Sequence, residues 1–170
     1  MECTSEQPLR VLAIDPTSGG FAYVILEGPE HLVRWGVKTA RHNTNAACLE
    51  QIAALVSRYD PDFIVIQDTT KEGVRRSYRV KRLMRNIEKL STQMEMCFAR
   101  ISHSRLKEFF AQTDAKTKQQ IAVAIAKRLP ELYYRLPRPR REDSRMSIFD
   151  AAALALTFYD SQEEWLTTLS

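Results

Sequence analysis

Apolar residues recur along the chain at two different periods. Residues 10–15, 21–26 and 31–37 are short runs rich in apolar and β-branched residues, and turn residues separate them. Such runs predict β-strands, and the tight turns predict that the three strands form an antiparallel meander. Spacings of three and four residues then predict an amphipathic helix over residues 45–58, which ends before Pro61.

After this helix the pattern alternates between strands and helices. Residues 63–66 are continuously apolar and follow a helix, which favours a central strand that runs parallel to a neighbour. A polar loop over residues 69–78 precedes a long helix with apolar positions from Val80 to Met94, and residues 98–101 predict a fifth strand. The remaining predicted elements are helices over 106–110, 117–129 and 146–159 and a mobile basic loop over 130–143.

The element order βββαβαβα predicts an α/β fold with a mixed five-stranded sheet flanked by helices. A chain of 170 residues, 44% of them hydrophobic, suits one such domain over residues 1–170, since no repeat or linker divides it. Apolar runs never exceed six residues, which excludes a membrane-spanning helix, and residues 1–10 contain no apolar signal segment. We therefore expect a cytoplasmic protein.

Cysteine and histidine are spaced too irregularly to predict a metal centre. Cys3, Cys48 and Cys97 form no CxxC pair, and the three histidines form no HxxxH pair. Zinc binding and a disulfide framework are therefore not expected, and the cysteines are interpreted as ordinary thiols.

Positive charge is concentrated in two segments. The net charge is only +4, but residues 71–89 hold eight Lys or Arg against two Glu, and residues 135–145 hold five Arg against two acids. Concentrated positive charge predicts a nucleic-acid surface, although a solvated helix face is the alternative for the first segment. The candidate phosphate-contacting residues are Arg75, Arg76, Arg79, Arg82, Arg85, Lys89, Arg138, Arg140 and Arg141.

Three carboxylates occupy informative positions. Asp15 ends the first predicted strand, Asp68 follows the fourth, and Asp150 lies among the apolar residues of the last helix. Taken singly, each could be a turn, loop or solvent-facing residue. If the first and fourth strands are parallel neighbours, their ends bring Asp15 and Asp68 together, and a helix packed across that edge can add Asp150. Clustered carboxylates repel one another unless a divalent cation neutralises them, and oxygen ligands favour Mg²⁺ or Mn²⁺.

Four segments resemble motifs of the RuvC-type Holliday junction resolvases, within the ribonuclease-H-like nuclease superfamily. They are, in chain order, VLAIDPTSGGFAYVIL, PDFIVIQD, SRLKEFFAQTDAKTKQQIAVAIAKRL and SIFDAAALALT, and they extend over residues 9–160 in the order that the family has. The resemblance implies a ribonuclease-H-like fold and a metal-dependent endonuclease that cuts branched DNA as a homodimer.

The resemblance also implies roles for individual residues. Asp15 and Asp150 match metal ligands of the family, and Lys107 and Lys118 match two lysines that matter for its activity. Two magnesium or manganese ions are implied, one to activate a water and one to stabilise the leaving oxygen. Asp15 would bridge both ions, and Asp68 and Asp150 would each complete one side.

The sequence departs from the family pattern at two acidic positions. Read without a gap, the catalytic Glu of the family falls on Gln67. Asp68 can replace it only if the strand end twists or bulges, because successive strand residues point to opposite faces. The family acid three residues before the helix Asp falls on Ser147, for which Asp143 could compensate.

Three other interpretations stay open at this point. A ribonuclease-H-like module could bind DNA or RNA without cleaving it, since Gln67 and Ser147 replace two acids. A nuclease of the same fold could act on RNA instead. An actin-like or sugar-kinase phosphotransferase has a first phosphate loop similar to IDPTSGG, but it needs two lobes around ATP, and 170 residues supply one.

Overall fold

The computed structural model describes residues 7–42, 44–70, 75–137, 145–162 and 166, which contain each predicted strand and helix with bounds shifted by a few residues. The strands are β1 (Arg10–Pro16), β2 (Gly20–Glu27), β3 (Leu32–Thr39), β4 (Phe63–Gln67) and β5 (Cys97–Ile101). The α-helices are α1 (Thr44–Tyr59), α2 (Tyr78–Gln93), α3 (His103–Ala111), α4 (Lys118–Arg128) and α5 (Met146–Asp160).

One mixed sheet carries the strands in the order β3-β2-β1-β4-β5. The first three strands form the predicted antiparallel meander, and β4 and β5 run parallel to β1. Gly20 opens β2 where the strands approach closely, because a Cβ there would lie 1.8 Å from the Lys38 carbonyl oxygen. The predicted parallel pairing of β1 with β4 is confirmed, with Ala13 opposite Val65. The carboxyl ends of β1, β4 and β5 therefore meet at one edge of the sheet.

Side chains of the central strands alternate between two helical layers. In β1 the even-numbered residues pack with α1 and α2, whereas Val11 and Ala13 pack with α5. In β4, likewise, Phe63 and Val65 share the face of α5. This alternation is the period of two that an extended strand imposes, and it decides which residues at the strand ends can meet α5.

The last helix is buried along most of its length. Eleven of the fifteen residues of α5 are buried, and the ring of Phe158 lies 4.8 Å from that of Phe63, centroid to centroid. A carboxylate in such a helix needs polar or cationic partners, and Asp150 therefore marks a candidate functional site. Among the described residues, none of the helices combines the length and the apolar character that crossing a bilayer requires.

The segment predicted as a mobile basic loop over residues 130–143 is partly helical. Pro130–Arg135 forms a 3-10 helix, and its Leu132 is completely buried. The prediction of a mobile loop is therefore wrong for these residues, because Pro favours the start of a helix and Leu132 fixes the segment in the core. Residues 138–144 lie outside the described residues.

Candidate active site

Asp15 lies at the carboxyl end of β1 and is almost completely buried. It continues the odd-numbered series of Val11 and Ala13 on the face of α5, and only 5% of it is exposed. Burial raises the pKa of the Asp15 carboxyl to about 6; the positive charge of Arg76 lowers this pKa and the negative charge of Asp150 raises it. The protein itself thus compensates only part of the cost of burying this carboxylate.

Asp150 reaches the same cavity from α5. Burial raises the pKa of its carboxyl group, whereas the charges of Lys118 and Arg76 lower it. Nζ of Lys118, the first residue of α4, lies 3.9 Å from Oδ2 of Asp150. The structure therefore brings together Asp15, Asp150 and Lys118, three of the residues that the sequence singled out.

A cavity of about 490 Å³ surrounds these groups at the carboxyl edge of the sheet. Its walls come from the ends of β1, β4 and β5, from the segment that precedes α2, and from α3, α4 and α5. The polar and charged lining residues are Asp15, Gln67, Arg75, Arg76, Ser102, His103, Lys118 and Asp150.

The fourth strand presents Gln67 to this cavity rather than Asp68. Gln67 continues the face of Phe63 and Val65, and its Oε1 accepts a hydrogen bond of 2.9 Å from Nη2 of Arg76. Asp68 does not line the cavity, and its Oδ1 accepts hydrogen bonds from the amide and the hydroxyl of Thr70. The pairing of β4 with β5 is regular up to Gln67, so the bulge that Asp68 would need is absent from β4.

Two further positions from the sequence analysis lie on helices. Ser147 is buried on α5 one turn before Asp150 and supplies no carboxylate, and Asp143 lies outside the described residues. Lys107 is exposed on α3 and does not line the cavity; the α3 residues that do so are His103 and Leu106. The structure therefore does not bring Lys107 together with the two acids.

Solved structures share this architecture at low sequence identity. Thermus thermophilus RuvC matches with a TM-score of 0.67 and 17% identity, over 92% of this chain and 96% of that chain. The structure of T. thermophilus RuvC in complex with a Holliday junction substrate matches with a TM-score of 0.69 and 14% identity, over the same shares of the two chains. This chain has the RuvC fold.

The yeast mitochondrial Holliday junction resolvase Ydc2 is also similar to this chain. It matches with a TM-score of 0.67 and 16% identity, over 96% of this chain and 83% of that chain. The ribonuclease-H-like mixed sheet that the resemblance implied is therefore confirmed. By sequence alone, neither a protein-family model nor a curated protein matches.

On this RuvC fold, the basic residues around α2 divide into two groups. Arg79 donates hydrogen bonds to the carbonyl oxygens of Thr17 and Ser18 and to the Asn45 side chain, and Arg76 is bound inside the cavity. Both are engaged by the protein, so they do not belong to the exposed nucleic-acid surface that the concentrated positive charge predicts. Arg75, Arg82, Arg85 and Lys89 are exposed and form no ion pair with another described residue, and Arg138, Arg140 and Arg141 lie outside the described residues.

His103 is a cavity residue that the sequence analysis did not single out. It begins α3 directly after Ser102, whose hydroxyl caps the helix by accepting from the Arg105 amide. Because β5 runs parallel to β1 and β4, residues that follow its carboxyl end reach the same edge of the sheet. The position of His103 just after the fifth strand was therefore the sequence signal that could have identified it as a site residue. No pattern in the sequence indicates that Arg76 turns inward.

The oxygen atoms of the cavity fit one divalent cation. Two carboxylates and the Gln67 amide are hard donors, and Mg²⁺ is commonly held by one or two carboxylates together with substrate phosphate. Within the described ranges, no group of three or more His, Cys, Asp or Glu side chains is placed to hold a metal ion. A single magnesium or manganese ion is thus compatible with these residues, whereas a pair of ions lacks acidic ligands in the part of the chain that the structure describes.

Proposed function

We propose that this protein is a divalent-cation-dependent nuclease that cuts branched DNA. The observation that carries the proposal is the meeting of two carboxylates from distant parts of the chain in one cavity that also holds cationic groups: Asp15, which is buried, and Asp150, which is half-buried. Desolvated carboxylates that repel each other favour a cation between them. The RuvC fold, seen elsewhere with a Holliday junction substrate, supports branched DNA as the substrate class.

A magnesium or manganese ion held by Asp15 and Asp150 would supply Lewis-acid activation of water and of the scissile phosphate. The side chains of the protein supply further positive charge. Lys118 and Arg76 offer positive charge to phosphate oxygens at the cavity, Lys118 from a side chain that is 74% exposed and Arg76 from one that is 27% exposed.

The exposed basic residues bind the DNA backbone at the mouth of the cavity and along α2. Arg75 lines the cavity and is exposed, and Arg82, Arg85 and Lys89 continue along α2. Phosphate contacts position a nucleic acid without reading its bases, so we expect selection by shape rather than by sequence from these residues. We further propose a homodimer, because symmetric cuts in a four-way junction require two related sites.

A module that binds DNA without cutting it is the second candidate. Gln67 and Ser147 stand where the resemblance implies acids, and Arg76 and Lys118 already neutralise Asp15 and Asp150. Such a module keeps the exposed basic residues and has no need of a divalent cation.

Cleavage of labelled four-way junction, duplex, single-stranded DNA and RNA–DNA hybrid tests the proposal, with Mg²⁺, Mn²⁺ or EDTA. We expect metal-dependent nicking of the four-way junction and none in EDTA. Asp15→Asn should reduce the rate by roughly a hundredfold or more while DNA affinity stays nearly unchanged, because a metal ligand is lost but no basic contact. Asp68→Asn is the matched variant, and we expect it to cleave because Asp68 lies outside the cavity.

Each contrary result has its own meaning. Binding without cleavage in either metal would establish the second candidate. Cleavage that survives Asp15→Asn would contradict the role of Asp15, and cleavage lost in Asp68→Asn would return Asp68 to the ligand set. Preference for the RNA–DNA hybrid would change the substrate class within the same chemistry.

A further inference from the structure

Three groups hold Arg76 inside the candidate site. Its Nη2 donates to Oδ1 of Asp15 and to Oε1 of Gln67, both at 2.9 Å, and its Nη1 donates to the Pro16 carbonyl oxygen at 3.2 Å. These acceptors belong to the ends of β1 and β4, and the Arg76 side chain is 27% exposed. A guanidinium is a rigid fork of donors that stays charged at every accessible pH. The ends of two central strands are thus linked by a fixed positive charge.

Among the residues that the structure describes, each carboxylate of the cavity has a cationic partner without any metal ion. Asp15 pairs with Arg76, and Asp150 lies 3.9 Å from Lys118. Two divalent ions would bring four positive charges to two carboxylates that already have cationic partners. One divalent ion brings two positive charges, which the phosphates of bound DNA can offset.

Arg76 also bonds to Oδ1 of Asp15, the residue that a second ion would need as a ligand. The two ions that the resemblance implies would require Asp15 and an acid at the end of β4 as ligands of the second ion, and in this chain that position carries Gln67. One oxygen of each residue accepts a hydrogen bond from the same nitrogen of Arg76. An amide accepts such a bond without adding negative charge, so the guanidinium and the amide together take the place of an ion and its carboxylate.

We propose that Arg76 replaces the second divalent cation of this site, so that the cavity takes one ion, held by Asp15 and Asp150. This inference rests on the proposed nuclease function and adds the number of ions to it. Arg76 is a positioning residue that fixes the Asp15 carboxylate and supplies a positive charge that chelators cannot remove. The measurable difference from a two-ion nuclease is therefore the metal stoichiometry.

The number of Mn²⁺ ions bound per chain, measured by electron paramagnetic resonance of free Mn²⁺ on the full chain, tests the inference. We expect one ion for the wild type and one for Gln67→Glu, because Arg76 still bonds to Oδ1 of Asp15. The double variant Arg76→Gln/Gln67→Glu frees this oxygen and adds an acid, so we expect two ions. The matched control Arg75→Gln/Gln67→Glu makes the same change in net charge. It should bind one ion, since Arg76, not Arg75, holds the side chains of Asp15 and Gln67.

The outcomes distinguish a failure of this inference from a failure of the proposed nuclease function. Two ions in the wild type, two after Gln67→Glu alone, or one in the double variant would each overturn the replacement by Arg76 while the nuclease proposal stands. No ion in the wild type would overturn the metal-dependent function and this inference with it.

A measurement on the wild type decides the matter even if the double variant fails to fold. In ¹⁵N-arginine-labelled protein, the Arg76 side-chain N–H signals, assigned by their loss in Arg76→Gln, are followed while Mg²⁺ is added to saturation. We expect them to stay sharp and protected from exchange, because Arg76 keeps its three acceptors. Signals that move to the position of exposed arginines would show that the ion displaces Arg76 and would overturn the inference.

Discussion

Gln67 and Asp68 are adjacent in the chain, yet they enter different environments. Gln67 shares the face of Phe63 and Val65 and reaches the cavity, whereas Asp68 bonds to Thr70 in the following loop. A shift of one position along a strand moves a side chain to the other face of the sheet. Asp68 is chemically similar to the Glu that the resemblance implies at position 67, but it lies on the other face and therefore does not enter the site. Asp15 has no such ambiguity because β1 is regularly paired up to Pro16.

The buried carboxyl group of Asp15 should make stability depend on pH. Burial raises its pKa to about 6, against an ordinary value of 3.8, so the folded state holds the proton more tightly than the unfolded state does. Without divalent cations, the contribution of Asp15 to the free energy of unfolding therefore falls as pH rises from about 4 to about 6. The loss is on the order of 3 kcal/mol for a shift of this size.

Urea unfolding of the wild type and of Asp15→Asn at a series of pH values in EDTA measures this contribution. We expect the variant to gain stability relative to the wild type across that pH window, because it has no charge to bury. Asp114→Asn is the control, since the Asp114 side chain is 93% exposed. A stability difference between wild type and Asp15→Asn that does not change with pH would contradict the raised pKa.

Among the elements, α2 presents the largest described group of unpaired basic residues. Its buried face packs in the layer of α1, and its exposed positions include Arg82, Arg85 and Lys89. If these residues contact phosphates, replacing all three with Gln should lower the slope of log Kd against log salt concentration by about 2 to 3 for junction DNA. Fluorescence anisotropy at several salt concentrations measures this slope.

Three exposed basic residues from other elements provide the matched control for this prediction. Arg34 on β3, Arg58 on α1 and Lys127 on α4 carry the same total charge. Replacing them with Gln should leave the slope nearly unchanged. Equal slopes for the α2 variant and the wild type would mean that α2 presents only a solvated face, which is the alternative that its pattern left open.

For the whole molecule, the decisive contact is between α5 and the start of the sheet. The Tyr159 hydroxyl lies 2.6 Å from the Leu9 carbonyl oxygen and accepts a hydrogen bond from the Gly28 amide at 3.1 Å. Burial raises the pKa of this phenol, which therefore stays neutral and able to donate. These bonds join segments about 130 to 150 residues apart and secure the helix that carries Asp150.

Tyr159→Phe should therefore destabilise the fold as a whole. It removes the hydroxyl that bonds to the Leu9 carbonyl and the Gly28 amide, and these two groups keep only their bond to each other, so we expect Tm to fall by roughly 3 °C in a thermal unfolding experiment. Tyr134→Phe is the control, because Tyr134 is 87% exposed and should leave Tm unchanged. An unchanged Tm for Tyr159→Phe would show that packing alone holds α5 in place.

The sequence by itself determined the strands and helices, and it identified Asp15 and Asp150 as candidate site residues. The pattern of apolar residues shows which side of an element is buried. This pattern depends only on nearby residues of the chain, so it predicts β4 and α5 correctly although both are central to the fold. The resemblance in four motifs added the RuvC fold, which the solved structures confirm. That residues 1–170 form one domain stays a prediction.

Only the tertiary structure decided how the site is completed. It turned Arg76 and Arg79 inward, placed Gln67 rather than Asp68 in the cavity, added His103 and left Lys107 outside. Each of these outcomes depends on how strand ends, helix starts and α5 pack against one another across long separations in the chain. Such contacts leave no periodic signal, because the partners of a side chain at the end of an element are set by packing rather than by its neighbours in sequence.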